Sequence, residues 1–153
     1  MKKFYWILLI GVLVIVADQF SKYWVNAALT YGFSKPITSW FSLTYIFNTG
    51  TAFGLFAGNN KALVIVALTI LSFLLYSARG LCERTGAWGL WGIGLVFGGA
   101  IGNLIDRIRI GRVIDFLDFH FWPVFNLADT AISIGAACLI IGVWFDQSPE
   151  SRI

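Results

Sequence analysis

Charge is what this sequence has least of. Only 12% of its residues are Asp, Glu, Lys or Arg and 58% are hydrophobic, whereas a soluble domain averages about a quarter charged. That balance excludes an ordinary soluble domain and points to a membrane protein. Histidine occurs once, at position 120, which excludes an HExxH metal site and leaves a Ser-His-Asp triad without support. Neither a GxGxxG dinucleotide fingerprint nor a GxxxxGK[ST] phosphate loop is present. The net charge is only +3, and no basic run interleaved with aromatics suggests a nucleic-acid partner. The two cysteines, Cys82 and Cys138, form no CxxC spacing and are read as inert thiols rather than a disulfide or metal ligands. No metal or other cofactor is expected.

Long apolar runs are what the sequence does have. They cover about 4–23, 62–78, 87–105 and 127–145, each near the ~20 residues a helix needs to cross a bilayer. Helix is the conformation that satisfies its own backbone in lipid. The first run resembles a secretory signal peptide, with Val25-Asn26-Ala27 as a possible cleavage site, but Asp18 and Lys22 interrupt the approach to it. It is read as a retained span. The expected fold is an all-α membrane protein forming a single domain over 1–153. Its four transmembrane helices carry a small extracytoplasmic β-rich element and an interfacial loop or helix.

Four spans put both termini on one side, joined there by a short polar linker at 79–86. The longer loops, 24–61 and 106–126, share the other side. ITSWFSLTYIFN (37–48) partly alternates as a strand does, and NTGTAFG (48–54) contains glycines suited to a tight turn. VIDFLDFHFWPVF (113–125) reads as a segment lying in the membrane interface. There His120 packs among Phe119 and Phe121, and Asp118 is a solvated interfacial acid. Lys and Arg number five on the terminal side and six on the other. Orientation therefore rests on Lys2 and Lys3, which favour cytoplasmic termini.

Depth singles out three residues. At ~1.5 Å per residue, Asp18 lies about 21 Å into the first span, Asn103 about 22 Å into the third and Asp129 about 24 Å from the far end of the fourth. All three fall at one level, in the outer third of a ~30 Å slab. Random polar substitutions would not align in this way, and the alignment indicates one site.

Carboxylates are the chemical groups available there. Asp115 follows the third span and Asp129 opens the fourth, so the loop between them can return one to the other. Two carboxylates ~4 Å apart repel by about 4 kcal/mol at an effective dielectric of 20. Such a pair keeps one proton across much of the neutral range, as in aspartic proteases. From spacing alone, separate structural roles account for the two residues as well as a dyad does.

The neighbouring polar residues also admit two readings each. Asp18 and Lys22 share a helix face at i,i+4, either as a buried structural pair or beside a substrate. Asn48 and Asn126 can orient a carboxylate or serve as turn and helix caps. Asn103 and Arg107 share a face of the third helix, where a lock on the outer loops is preferred to substrate contact. Asp106, adjacent to Arg107, must find another partner. Gly98 and Gly102, with Gly99 alongside, form a small-residue face for helix packing. A proton relay through Asp18, Asp106 and Asp129 is the competing function, but the inner halves of the spans offer only scattered polar residues such as Ser72 and Tyr76. A membrane scaffold leaves the polar level unexplained.

Five segments in order, DQFSK (18–22), NTGTAFG (48–54), GGAIGNLIDR (98–107), GRVIDF (111–116) and FNLAD (125–129), resemble those of the type II (lipoprotein) signal peptidases. The resemblance covers roughly 4–146. It implies an aspartic endopeptidase with Asp115 and Asp129 as its catalytic pair. Asp18, Lys22, Asn48, Gly50, Asn103, Asp106, Arg107, Asn126 and Ala128 then line the site or orient the pair. The implied substrate is a prolipoprotein whose lipobox cysteine carries diacylglycerol, cut on the N-terminal side of that cysteine. The implied setting is the extracytoplasmic face of the bacterial cytoplasmic (inner) membrane, among membrane lipids, with inhibition by globomycin-type cyclic peptides. Nothing demands more than a monomer.

Overall fold

The computed structural model describes residues 2–50 and 58–145. Four helices form the body: α1 (Lys2–Ala28), α2 (Asn60–Thr85), α3 (Ala87–Ile110) and α4 (Leu127–Trp144). Each is long and apolar enough to cross a membrane. Their outward faces carry large apolar side chains, among them Phe4, Leu13, Phe73 and Ile140, as expected where lipid rather than water is the solvent.

α3 is the hub, packing on α1, α2 and α4. Its glycines allow this. A Cβ on Gly98 would lie 2.7 Å from Gly11 O of α1, and one on Gly99 would collide with Ala128 O of α4. The small-residue face expected at Gly98 and Gly102 is therefore real, and α3 has two such faces, one toward each neighbour.

Three strands cap one end of the bundle: β1 (Ser34–Pro36), β2 (Ser42–Asn48) and β3 (Val113–Asp118), antiparallel in the order β1-β2-β3. β2 includes part of the strand expected at 37–48. Val25 of α1 packs against Tyr45, Ile114 and Phe116, which fastens the sheet to the helices. The register sets Ile46 opposite Asp115 and Asn48 opposite Val113.

Two sequence readings are corrected. The segment 79–86 is not a linker. α2 continues through Thr85, with Cys82 and Thr85 buried and Arg79 paired to Glu83 at 2.9 Å, so Gly86 at φ 60° makes the turn into α3. Polar residues on the exposed side there leave the helix intact, because its buried side remains packed. The start of 113–125 is likewise a strand rather than an interfacial loop or helix. β2 supplies its hydrogen-bonding partner, and Val113, Ile114, Asp115 and Phe116 are all buried. The turn expected at 48–54 lies, beyond Gly50, outside the described residues. So do the side chains of Lys2 and Lys3 and the chain after Phe145.

Candidate active site

Asp115 is placed by β3 and fully buried. Its Oδ1 accepts from Asn126 Nδ2 at 2.6 Å and its Oδ2 from Asn48 Nδ2 at 2.9 Å. Asn126 precedes α4 as its N-cap. Its Oδ1 accepts from the backbone N–H of Asp129 at 2.9 Å, which satisfies one of the orphan donors of a helix start. The two readings of Asn126 are thus both true: it caps α4 and holds Asp115. Asp129, half-buried in the first turn of α4, accepts at Oδ1 from Asn103 Nδ2 at 2.8 Å.

Each of the three amides is oriented by a group that can only donate. Gly50 N donates to Asn48 Oδ1 at 2.9 Å, Lys22 Nζ to Asn103 Oδ1 at 3.0 Å, and Asp129 N to Asn126 Oδ1. With the oxygens so engaged, every NH₂ is turned to a carboxylate or to its neighbours. Burial pushes the Asp115 carboxyl up to about 7. The nearby Asp129 charge adds to the rise, while the two amide donors and Lys22 oppose it.

Below this pair lies a second charged group. Lys22 spends its three N–H donors on Asp18 Oδ2 at 2.8 Å, Asp106 Oδ2 at 2.9 Å and Asn103 Oδ1. Asp18 and Lys22 are buried at 0% and 2% exposure, so they form an enclosed structural pair in this state. Asp18 Oδ1 also accepts from Ala128 N at 3.0 Å, capping α4 from a different helix. Ala128 contributes that backbone N–H and a small side chain, since it is wholly enclosed. Asp106 finds its partners in Lys22, Gln19 Nε2 at 3.1 Å and Ile114 N at 3.2 Å. Arg107 Nη2 donates to Gly50 O at 2.7 Å, and its own carbonyl accepts from Asn60 Nδ2 at 3.0 Å. Arg107 thus joins α3 to Gly50 and Asn60 of the outer segment, whereas Asn103, for which the same lock was expected, contacts Asp129 and Lys22 instead. Arg107 Nη1 is buried without a hydrogen-bond partner among the described residues.

Asp18, Asn103 and Asp129, aligned by depth in the sequence, are therefore members of one hydrogen-bonded network. Gln19 was missed. It donates to Gly102 O at 3.1 Å as well as to Asp106 and Asp18, and its only sequence signal is a polar amide inside an apolar run. His120 and Asp118 are corrected. His120 is exposed at φ 64° with Nε2 2.9 Å from Ser42 Oγ, and Asp118 accepts from Thr44 Oγ1 at 2.7 Å and from His120 N at 2.9 Å. Both brace the sheet edge and make no hydrogen bond to Asp115 or Asp129 among the described residues.

The family model for signal peptidase (SPase) II matches residues 10–145. A lipoprotein signal peptidase of Halothermothrix orenii is 44% identical over 140 residues, covering 89% of this chain and 93% of the relative. One from Gloeobacter violaceus is 42% identical over 149 residues, covering 94% and 84%. A solved bacterial membrane enzyme, determined by the in meso method, superposes with a TM-score of 0.84 at 30% identity, covering 96% of this chain and 92% of that one.

Proposed function

The chain belongs to the signal peptidase II family, and on that premise we propose that it is a membrane aspartic endopeptidase acting on diacylglyceryl-modified prolipoproteins. The family implies a protease that removes signal peptides and a multi-pass bacterial membrane protein. The aspartic mechanism, the cut N-terminal to the lipidated cysteine and the residue roles are our reading.

One observation carries it: the Asn126 NH₂ donates to the Asp115 carboxylate while its carbonyl oxygen accepts from the backbone N–H of Asp129, and the Asp129 charge acts on Asp115. Two carboxyl groups that feel each other's charge in this way hold one proton between them rather than both ionising. The ionised member takes a proton from water as the water oxygen bonds to the scissile carbonyl carbon. The protonated member donates to the carbonyl oxygen. Collapse of the tetrahedral intermediate breaks the C–N bond, and the dyad supplies the proton that the departing cysteine amine needs. One water is consumed and the signal peptide leaves with a new carboxylate. This route requires no metal, so chelator treatment leaves the rate unchanged.

Asn48, Asn103 and Asn126 orient the dyad. Lys22, Asp18, Asp106 and Ala128 hold Asn103 and α4 in place, and Arg107 with Gly50 positions the loop beside the dyad. A site at the sheet end of the bundle meets both water and a lipid-anchored bond near the headgroups. We assign that end to the extracytoplasmic side and both termini to the cytoplasm. The enzyme works as a monomer and is blocked by globomycin-type cyclic peptides. The decisive experiment incubates the purified protein with a diacylglyceryl-modified precursor and its unmodified counterpart. Cleavage of the first alone supports the reading; equal cleavage of both, or of neither, removes it.

A further inference from the structure

Between α1, the C-terminal end of α3 and the sheet lies a cleft of about 200 Å³, several times the ~30 Å³ a water occupies in the liquid. Asp115 and Asp129 do not line it. Its charged floor is the Lys22–Asp106 pair, in which the Asp106 carboxylate is already engaged by Lys22, Gln19 and Ile114 N. Its rim carries Arg109 and Arg112, both exposed, and neither has a carboxylate within 4.0 Å among the described residues. Lys22 is shared by Asp106 and Asp18, so with Arg109 and Arg112 at the rim the cleft and its floor keep one positive charge in excess.

The Arg112 guanidinium lies 3.9 Å from the Phe47 ring centroid, which restrains it over the aromatic face. It makes no hydrogen bond to a described residue, and its N–H groups remain available to an acceptor. Planar guanidinium groups pair with phosphate oxygens two at a time.

The surroundings identify the source of the phosphate. Arg109 lies in the last turn of a helix long and apolar enough to span a membrane. Beside it on α1, Tyr23 and Trp24 are 72% and 50% exposed, the aromatic signature of a headgroup level. One and two helical turns further along α1, the exposed Phe20 and Val16 offer apolar surface to an acyl chain. We propose that this cleft binds the phosphodiester of an anionic phospholipid, held by Arg109 and Arg112 at the membrane surface. The site is separate from the dyad and does not depend on the proposed proteolysis.

The test uses the full chain in zwitterionic detergent and follows its thermal midpoint during titration with short-chain phosphatidylglycerol, phosphatidylcholine or inorganic phosphate. Phosphatidylglycerol is expected to raise the midpoint at a concentration roughly tenfold lower than phosphatidylcholine, about what one charge-assisted hydrogen bond supplies. The double variant Arg109→Gln, Arg112→Gln loses that preference. The variant Lys35→Gln, Lys61→Gln, which removes the same charge elsewhere at this end, keeps it. The proposal is overturned if the arginine variant retains the preference, if the lysine variant loses it equally, or if inorganic phosphate alone reproduces the shift.

Discussion

The side-chain amide of Asn126 lies 2.6 Å from Asp115 Oδ1, the shortest of the hydrogen bonds that Asp115 and Asp129 make to described residues. One side chain thereby caps a helix and grips a carboxylate on a neighbouring strand. That double duty fixes the position of β3 relative to α4.

If Asp115 and Asp129 are the acid–base pair, replacing either by Asn keeps the shape and removes the proton chemistry. Asp115→Asn and Asp129→Asn are expected to lower precursor cleavage by at least about 10²-fold. Membrane insertion should match the parent's, and each variant should still melt cooperatively. Cleavage of the diacylglyceryl precursor by each purified variant is the measurement, and a rate within a few fold of the parent rules out the assignment.

Stability should depend on pH through Asp115. Its carboxyl is raised from 3.8 to about 7 by burial and by the Asp129 charge. Between these values the folded state holds a proton that the unfolded state has released. Stability therefore falls as pH rises through that window, by up to about 1.4 kcal/mol per pH unit, and levels off above it. Melting curves from pH 4 to 8 should show the decline in the parent and a flatter profile for Asp115→Asn.

Lys22 is the common partner of Asp18, Asp106 and Asn103. Lys22→Met leaves two carboxylates buried without a cation, a change that costs about 3–5 kcal/mol. It also frees the Asn103 amide to flip away from Asp129. A large drop in thermal midpoint should accompany loss of cleavage; an unchanged midpoint contradicts the network.

Two glycines on neighbouring helices should respond in opposite senses. Gly99→Ala drives a methyl into Ala128 O and Ile132, and overpacking of this kind costs about 1–3 kcal/mol. Gly80 has nothing within 4 Å of an added Cβ, so Gly80→Ala gains the ordinary helix preference of about 1 kcal/mol. Comparing the two thermal midpoints checks the α3–α4 packing directly.

The four helices were legible because lipid demands long apolar runs, and the shared depth of Asp18, Asn103 and Asp129 was legible because helical rise is constant. The Asp18–Lys22 pair followed from its i,i+4 spacing. The extension of α2 through Thr85 was not legible, since polarity at 79–85 looks like a loop until Cys82 and Thr85 are seen to be covered. β3 was hidden for a related reason. Its four consecutive buried residues give no alternation, and only pairing with β2 makes it a strand. Spacing could bring Asp115 near Asp129 but could not show that three asparagines stand around them. Which amide faces which acid is decided by donors from three separate parts of the chain, Lys22, Gly50 and Asp129.

The hydrogen bond from Ala128 N to Asp18 joins residues 110 positions apart. During biosynthesis the ribosome delivers the first helix long before the last, so the Asp18 carboxylate must await the arrival of Ala128. An unfinished chain has neither Asp129 nor the closing bond. On the proposed reading, a chain not yet extended into α4 lacks one member of the acid–base pair.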